Sequence, residues 1–324
     1  MTRAIRIHRY GGPEVLQLEQ VELGPPAAGE LRIAHEAIGL NMVDTYYRTG
    51  LYPLTLPSGL GSEAAGRVTA VGSGVTGFAV GDRVAYASPP PLDGYADERL
   101  IDARWVVQLP AEIEMATGAA IMLKGLTAWY LLQRSYRVRT GDWILLYAAA
   151  GGVGLIALQW ARLLGARVIG VVGSEAKRAL AKAHGAEQVL LASEDIPARV
   201  RELTDGEGVA ACYDSIGKDT FYQSLDSLRP HGVMVSFGNA SGPVEPFSPL
   251  ELTRRGSLYV TRPTLFDFIN RRAELDAGSG ELFAAVAGGG IRIEINQRYA
   301  LLDAADSHRD IEARKTTGST ILLP

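Results

Sequence analysis

Two stretches of this chain combine residue types with a spacing that chemistry can use. The first is Trp143–Gly154, WILLYAAAGGVG. A continuous apolar run, Trp143–Ala149, leads into Gly151, Gly152 and Gly154, and a long apolar segment, Val153–Ala166, follows. Strand, glycine turn and helix in that order can bind a dinucleotide pyrophosphate. Glycines turn tightly and admit the phosphates, while the helix N-terminus offers unpaired N–H groups and a positive dipole end. Gly151, Gly152 and Val153 are thereby the candidates for phosphate contact through backbone N–H. The spacing is Ala148-x-x-Gly151-x-x-Gly154, with alanine where the first glycine usually sits. Alone, this pattern also fits a tight turn in some other α/β protein. A second apolar strand, Arg167–Gly173, follows after one helix and completes a βαβ unit, which favours the nucleotide.

The second stretch is VVGSEAKR, 171–178. Sites for NAD place Asp or Glu about 20 residues past the glycines, to hold the ribose 2′-hydroxyl. Here Gly173 and Ser174 occupy the strand end, with Lys177 and Arg178 just beyond and Glu175 between them. A small residue, a hydroxyl and two cations suit a 2′-phosphate, which favours NADPH. The alternative is that Ser174 only caps the helix and that Lys177 and Arg178 form its solvated face. No spacing suggests a metal. Cys212 is the single cysteine and sits in the apolar run VAACYD, and His8, His35, His184, His231 and His308 are scattered.

The elements that position these residues follow from the pattern. Residues 1–124 are rich in short strands and glycine turns, from the alternating AIRIHRY to EAAGRVTAVGSGVTGFAVGDRVAYA. Met115–Gln133 is apolar at helical spacing and is expected to carry the chain into a second domain. From about 125 to 265 strands and helices alternate. Helices are expected at 174–184 (Ser174 as N-cap), 197–204 and 220–228. Strands beginning at Trp143, Arg167, Gln188, Val209, Gly232 and Ser257 make six, the count of a doubly wound parallel sheet. A helical stretch at 265–287, a strand near Ile291–Ile295, a helix near 303–314 and a terminal strand complete the chain and are expected to return to the first domain. The expected division is 1–124 with 266–324, and 125–265.

The 324 residues accommodate two such domains, and 47% hydrophobic with 21% charged residues is ordinary for a globular protein. A net charge of −4 implies no polybasic surface, so nucleic acid is not an expected partner. With no apolar signal core in MTRAIRIHRYGG and no uninterrupted membrane-length apolar run, a cytoplasmic protein without a membrane role is expected.

The stretches 37–53 (AIGLNMVDTYYRTGLYP), 56–68, 74–86, 123–132, 148–166, 213–221, 228–242 and 256–265 together resemble the zinc-independent quinone oxidoreductases of the medium-chain dehydrogenase/reductase superfamily, the zeta-crystallin-like branch. The resemblance covers nearly the whole chain. It implies a GroES-like β-rich catalytic domain, a Rossmann domain, an active site in the cleft between them, NADPH, and a homodimer joined through the edge strand Ser257–Thr261. Zinc-dependent relatives carry cysteine and histidine where this chain has Asn41 and Ser62, neither a good zinc ligand, and the Cys-rich structural lobe is missing. Quinones and activated enones accept hydride without a Lewis acid.

By the same resemblance Asn41, Asp44, Tyr46 and Tyr52 line the cleft. Asn41 would donate a hydrogen bond to a substrate carbonyl or a water, and the tyrosines would orient a quinone, supply a proton or only pack the wall. Asp44 would act there or only fix local structure, while Arg48 and Glu63 are taken as structural partners. Thr127 and Tyr130 fit contacts to the nicotinamide end, and Arg262 and Thr264 are placed on the same side. Phe237, Gly238 and Asn239 follow a strand end, and Ser215 is similarly placed. Gly173, Ser174 and Lys177 take the 2′-phosphate, with Arg314 a further candidate. Relatives often have tyrosine at the position of Ala192, which leaves room for NADH. Two other readings are a reductase of α,β-unsaturated carbonyls and an NADPH-binding protein with a structural or RNA-binding role.

Overall fold

The long strand Glu30–Leu40 is the spine of the first unit. Apolar residues alternate along it, and Leu31, Ile33, Ile38 and Leu40 are buried. The computed structural model describes residues 1–324. One flank of this strand pairs antiparallel with Glu63–Val71, which pairs in turn with Arg83–Ala87. On the other flank its first half pairs with Glu98–Asp102 and its last residues with Ser319–Leu323. Ile295–Ala300 lies beside Ser319–Leu323 and Val106–Gln108 beside Arg83–Ala87, giving seven strands. A smaller sheet joins Gln17–Val21, Thr2–Ile7 and Ser58–Gly59. This unit comprises Met1–Leu126, Ile269–Gly288 and Ile293–Pro324.

The second unit, Thr127–Phe268 with Gly289–Arg292, carries the six expected strands as one parallel sheet. Their order is Gln188–Leu191, Arg167–Val172, Trp143–Leu146, Val209–Asp214, Leu228–Ser236, Tyr259–Thr261. The chain moves outward in one direction for three strands, then returns to the middle and moves the other way. The reversal lies between Trp143–Leu146 and Val209–Asp214, and ligands of such sheets bind beyond the strand ends at that point. Leu145, Ile169, Cys212, Phe221 and Met234 are among the residues packed in its core. Cys212 is fully buried, and burial raises its thiol well above its ordinary range.

Several boundaries differ from expectation. The stretch 265–287 is two helices, Leu265–Phe268 and Arg272–Ala287. The polar Asn270-Arg271-Arg272 interrupts the periodicity, and Arg271 is extended as the N-cap of the second helix. The strand expected at 291–295 runs instead over Ile295–Ala300, where accessibility alternates residue by residue. The edge strand begins at Tyr259, because Ser257 has φ 58°, a left-handed conformation that no strand continues. A helix at Met42–Thr49 was not anticipated. The helix Met115–Tyr130 runs on through a wider π-type turn at Leu131–Ser135. Its apolar length would suffice to cross a membrane, yet 83% of that window is buried inside the protein.

Candidate active site

At the sheet reversal the strand Trp143–Leu146 gives way to a turn, and the helix Gly152–Leu163 begins at once. Ala148, at the first-glycine position, has φ 50°, so an alanine holds the left-handed conformation normally left to glycine. A Cβ on Gly154 would overlap the Ala148 carbonyl oxygen and lie 2.7 Å from the Ala149 backbone. Glycine there is a matter of close approach. The first intrahelical bond runs from Leu155 N–H to the Gly151 carbonyl. Helix geometry therefore leaves the amides of Gly152, Val153 and Gly154 without an intrahelical acceptor.

The neighbouring strand ends converge on this turn. Tyr147 N–H donates to the Tyr213 carbonyl at 3.0 Å. Asp214, fully buried, accepts from Ile216 and Gly217 N–H and from the hydroxyls of Thr220 and Ser224, at 2.7 to 3.1 Å. That carboxylate shapes the loop carrying Ser215. Gly238 packs against the Ser215 backbone so closely that a Cβ would overlap its carbonyl, and Phe237 N–H donates to the Asp214 carbonyl. Ser215, Phe237, Gly238 and Asn239 are thus brought together beyond the strand ends. Arg262 donates to the Ser236 carbonyl at 3.1 Å, which sets it beside them, and Thr264 is exposed two residues on. The Tyr130 ring stacks on Phe268 at 4.7 Å with 7° between planes, and Thr127 is buried one turn earlier.

At the end of Arg167–Val172, Gly173 and Ser174 are exposed, and a Cβ on Gly173 would meet nothing within 4 Å. The open strand tip, a hydroxyl and the adjacent Lys177 suit a phosphate. Ser174 occupies the N-cap position of Glu175–Ala183, but its hydroxyl makes no capping bond. The second expected cation is committed elsewhere. Arg178 donates to Glu175, to Glu194 and to the Val189 carbonyl, so it braces the helix. Lys177 is the other cation next to that tip. Arg314 lies in the first unit, exposed, with φ 58°.

In the first unit Asn41 is the N-cap of Met42–Thr49 and is 5% exposed. Asp44, three residues on, accepts the Asn41 N–H at 2.9 Å and the Tyr95 hydroxyl at 2.9 Å. Tyr95 is also 3.1 Å from His308 Nε2, and Arg48 meets His308 Nδ1 at 3.0 Å and the Glu312 carboxylate. Arg48 can only donate, so Nδ1 accepts, Nε2–H donates to the Tyr95 oxygen, and Tyr95 donates to Asp44. Burial pushes the Asp44 carboxyl up to about 7, opposed by the Asn41 and Tyr95 hydrogen bonds. Burial, then the Arg48 charge, pushes His308 down to about 3. Asp44 is thus a buried structural anchor with both oxygens turned inward.

Tyr46 and Tyr52 come together edge to face at 5.5 Å, and Tyr52 also meets Tyr47 at 5.6 Å. Tyr52 N–H donates to the Tyr46 carbonyl, which ties the loop to the helix. Burial, with the Asp44 and Tyr52 charges, pushes the Tyr47 hydroxyl up to about 12. The Asn41 amide donates to Glu63 Oε1 at 2.8 Å, and Lys124 Nζ donates to the same oxygen at 2.5 Å. Sequence reasoning misses Lys124. Its signal was a lone lysine in the apolar run Ala119–Trp129, which requires a buried partner. No three His, Cys, Asp or Glu side chains form a group with metal-ligating geometry.

A family model described as alcohol dehydrogenase GroES-like domain matches residues 27–111, and one described as zinc-binding dehydrogenase matches 152–274. Over its whole length the chain is 52% identical to all of a quinone oxidoreductase of Pseudomonas aeruginosa. It is 43% identical, across 100% of this chain and 99% of the other, to a 2-haloacrylate reductase of a Burkholderia species. It superposes with a TM-score of 0.98 on the crystal structure of Escherichia coli quinone oxidoreductase complexed with NADPH, at 47% identity and with both chains fully covered. The β-rich unit is accordingly GroES-like and the parallel sheet a Rossmann domain.

Proposed function

This chain belongs to the zinc-independent quinone oxidoreductases of the medium-chain dehydrogenase/reductase superfamily, and from that membership we propose that it reduces a quinone with NADPH, between its two domains and without a metal. The observation that carries the reading is the glycine turn at the sheet reversal, with free helix amides behind it and an open strand tip with Lys177 beside it. NADPH, when bound, supplies the hydride. The amides of Gly152 and Val153 hold its pyrophosphate, while Gly151, the third expected phosphate contact, spends its own N–H on the Ala148 carbonyl and shapes the turn; Gly173, Ser174 and Lys177 hold the 2′-phosphate. Thr127, Tyr130, Ser215, Phe237, Gly238, Asn239, Arg262 and Thr264 complete the cofactor site, and Arg314 is a further candidate for its phosphate. Asn41 donates to the carbonyl oxygen on which negative charge grows, and Tyr46 and Tyr52 orient the flat ring. Asp44 acts by holding Asn41 and not by touching the quinone. With a reactive acceptor most of the rate comes from positioning.

The 2-haloacrylate reductase among the relatives favours a second reading, reduction of an activated C=C bond, in which a tyrosine supplies the proton. NADPH oxidation with 1,4-benzoquinone and with a 2-alkenal, side by side, separates the two. A quinone rate far above the alkenal rate is expected, and the reverse would transfer the protein to the second reading. We also propose a homodimer through the edge strand Tyr259–Thr261, the outermost of its sheet.

A further inference from the structure

We propose that Glu63, charge-paired with Lys124, is the positioning residue that fixes Asn41 as a hydrogen-bond donor toward the acceptor's carbonyl oxygen. This rests on the proposed place of Asn41 beside the acceptor.

Glu63 is fully buried and Lys124 is 5% exposed. Three donors converge on the carboxylate. Asn41 Nδ2 and Lys124 Nζ reach Oε1 at 2.8 and 2.5 Å, and Leu123 N–H reaches Oε2 at 2.6 Å. An ionised carboxylate accepts and never donates, so it must face the NH2 and not the oxygen of the Asn41 amide. One amide hydrogen goes to Glu63, and the second is left for a further acceptor. Without Glu63 the amide can turn over and present its oxygen, which would repel a carbonyl oxygen gaining charge. Lys124 balances a charge that would be prohibitive if buried alone.

The surrounding chain makes room for this arrangement. Gly39 is the register partner of Glu63, and a Cβ on it would overlap both Glu63 Oε1 and the Ala119 carbonyl. The strand is therefore bare where the carboxylate lies. Asn41 is also held through its backbone, which donates to Asp44. Its position and its amide polarity are thus set by two different carboxyl groups.

Glu63→Gln does not test this, because a glutamine with its oxygen at the Oε1 place still accepts from Asn41 and Lys124 and turns its NH2 only toward Leu123 N–H. Replacing the ion pair by the apolar pair E63L/K124L removes the acceptor without stranding the lysine charge. The test is a cycle of N41A, E63L/K124L and their combination, reading kcat/KM for 1,4-benzoquinone and KM for NADPH. E63L/K124L is expected to lower kcat/KM about tenfold, the scale of one charge-assisted hydrogen bond, with KM for NADPH unchanged. In the N41A background the same change should cost less than about twofold, since the residue it positions is gone. An equal loss in both backgrounds, or no loss in E63L/K124L, would overturn the proposal. N41A with full activity would instead overturn the placement of Asn41 and the proposal with it. If E63L/K124L does not fold, side-chain amide NMR of the wild-type protein decides. One Asn41 N–H proton should be strongly deshielded by the carboxylate, and two ordinary shifts would contradict the proposal.

Discussion

Asp44 and Lys177 are the two side chains whose surroundings give the sharpest expectations. Asp44 titrates near 7 in the folded protein against an ordinary 3.8, chiefly because it is buried. The native state thus binds this proton more tightly than the unfolded chain. The stability it contributes is complete below about 4 and is lost as pH rises through about 7. Both strong donors, Asn41 N–H and the Tyr95 hydroxyl, point at Oδ2, and Oδ1 faces only the Ser62 hydroxyl at 3.5 Å. In Asp44→Asn the amide oxygen can take the place of Oδ2. That variant should fold, and its stability relative to wild type should improve as pH is raised from about 4 to above 7. Thermal melts across this range check it, and a constant difference would contradict the burial argument. His308, held down near 3, works in the opposite direction, contributing above about 6.5 and losing that contribution as pH falls toward 3; it cancels in the comparison because both proteins carry it. Lys177→Ala should raise KM for NADPH about tenfold or more while leaving KM for NADH nearly unchanged, since only the phosphate pairs with the ammonium. Equal effects would remove the 2′-phosphate assignment. At this scale residue type suggests a role, as for the fully buried Asp44 and its hydrogen bonds, but not the partners. It was misleading where partners are distant: Arg178 next to Lys177 looked equivalent, and Glu194, sixteen residues along the chain, claims it.

Among the elements, the glycine turn and its helix are the proposed cofactor site. Gly154→Ala places a Cβ against the Ala148 and Ala149 backbone, which cannot rotate away as a side chain can. The helix start must shift, at a cost of about 1–3 kcal/mol in stability. NADPH affinity, followed by fluorescence titration, should fall with it, and wild-type affinity in that variant would show that the close approach is not needed. The six strands of this unit were legible because buried parallel strands are short apolar runs between helices. The helix Met42–Thr49 was hidden by its polar sequence, MVDTYYRT, whose Asp44 and Arg48 are inside and not on a solvated face. The break at Ile269–Arg271 lies where the chain passes from one unit to the other, which periodicity alone does not register.

For the whole molecule, the chain divides into two units, and the late strands Ile295–Ala300 and Ser319–Leu323 join the sheet of the first. Which strands would pair was not legible, because pairing over such separations depends on the complete core. The edge strand is short and bears Tyr259, 61% exposed. Tyr259→Glu should shift the protein from dimer to monomer in light scattering, through like charges facing across a two-fold axis; a dimer of unchanged strength would move the interface elsewhere. The central claim is that this fold reduces quinones with NADPH. Its most direct test is kcat/KM for NADPH against NADH, with 1,4-benzoquinone as acceptor. A strong preference for NADPH, largely abolished by Lys177→Ala, is predicted. Equal use of NADH, or no oxidation of NADPH by the quinone, would contradict it.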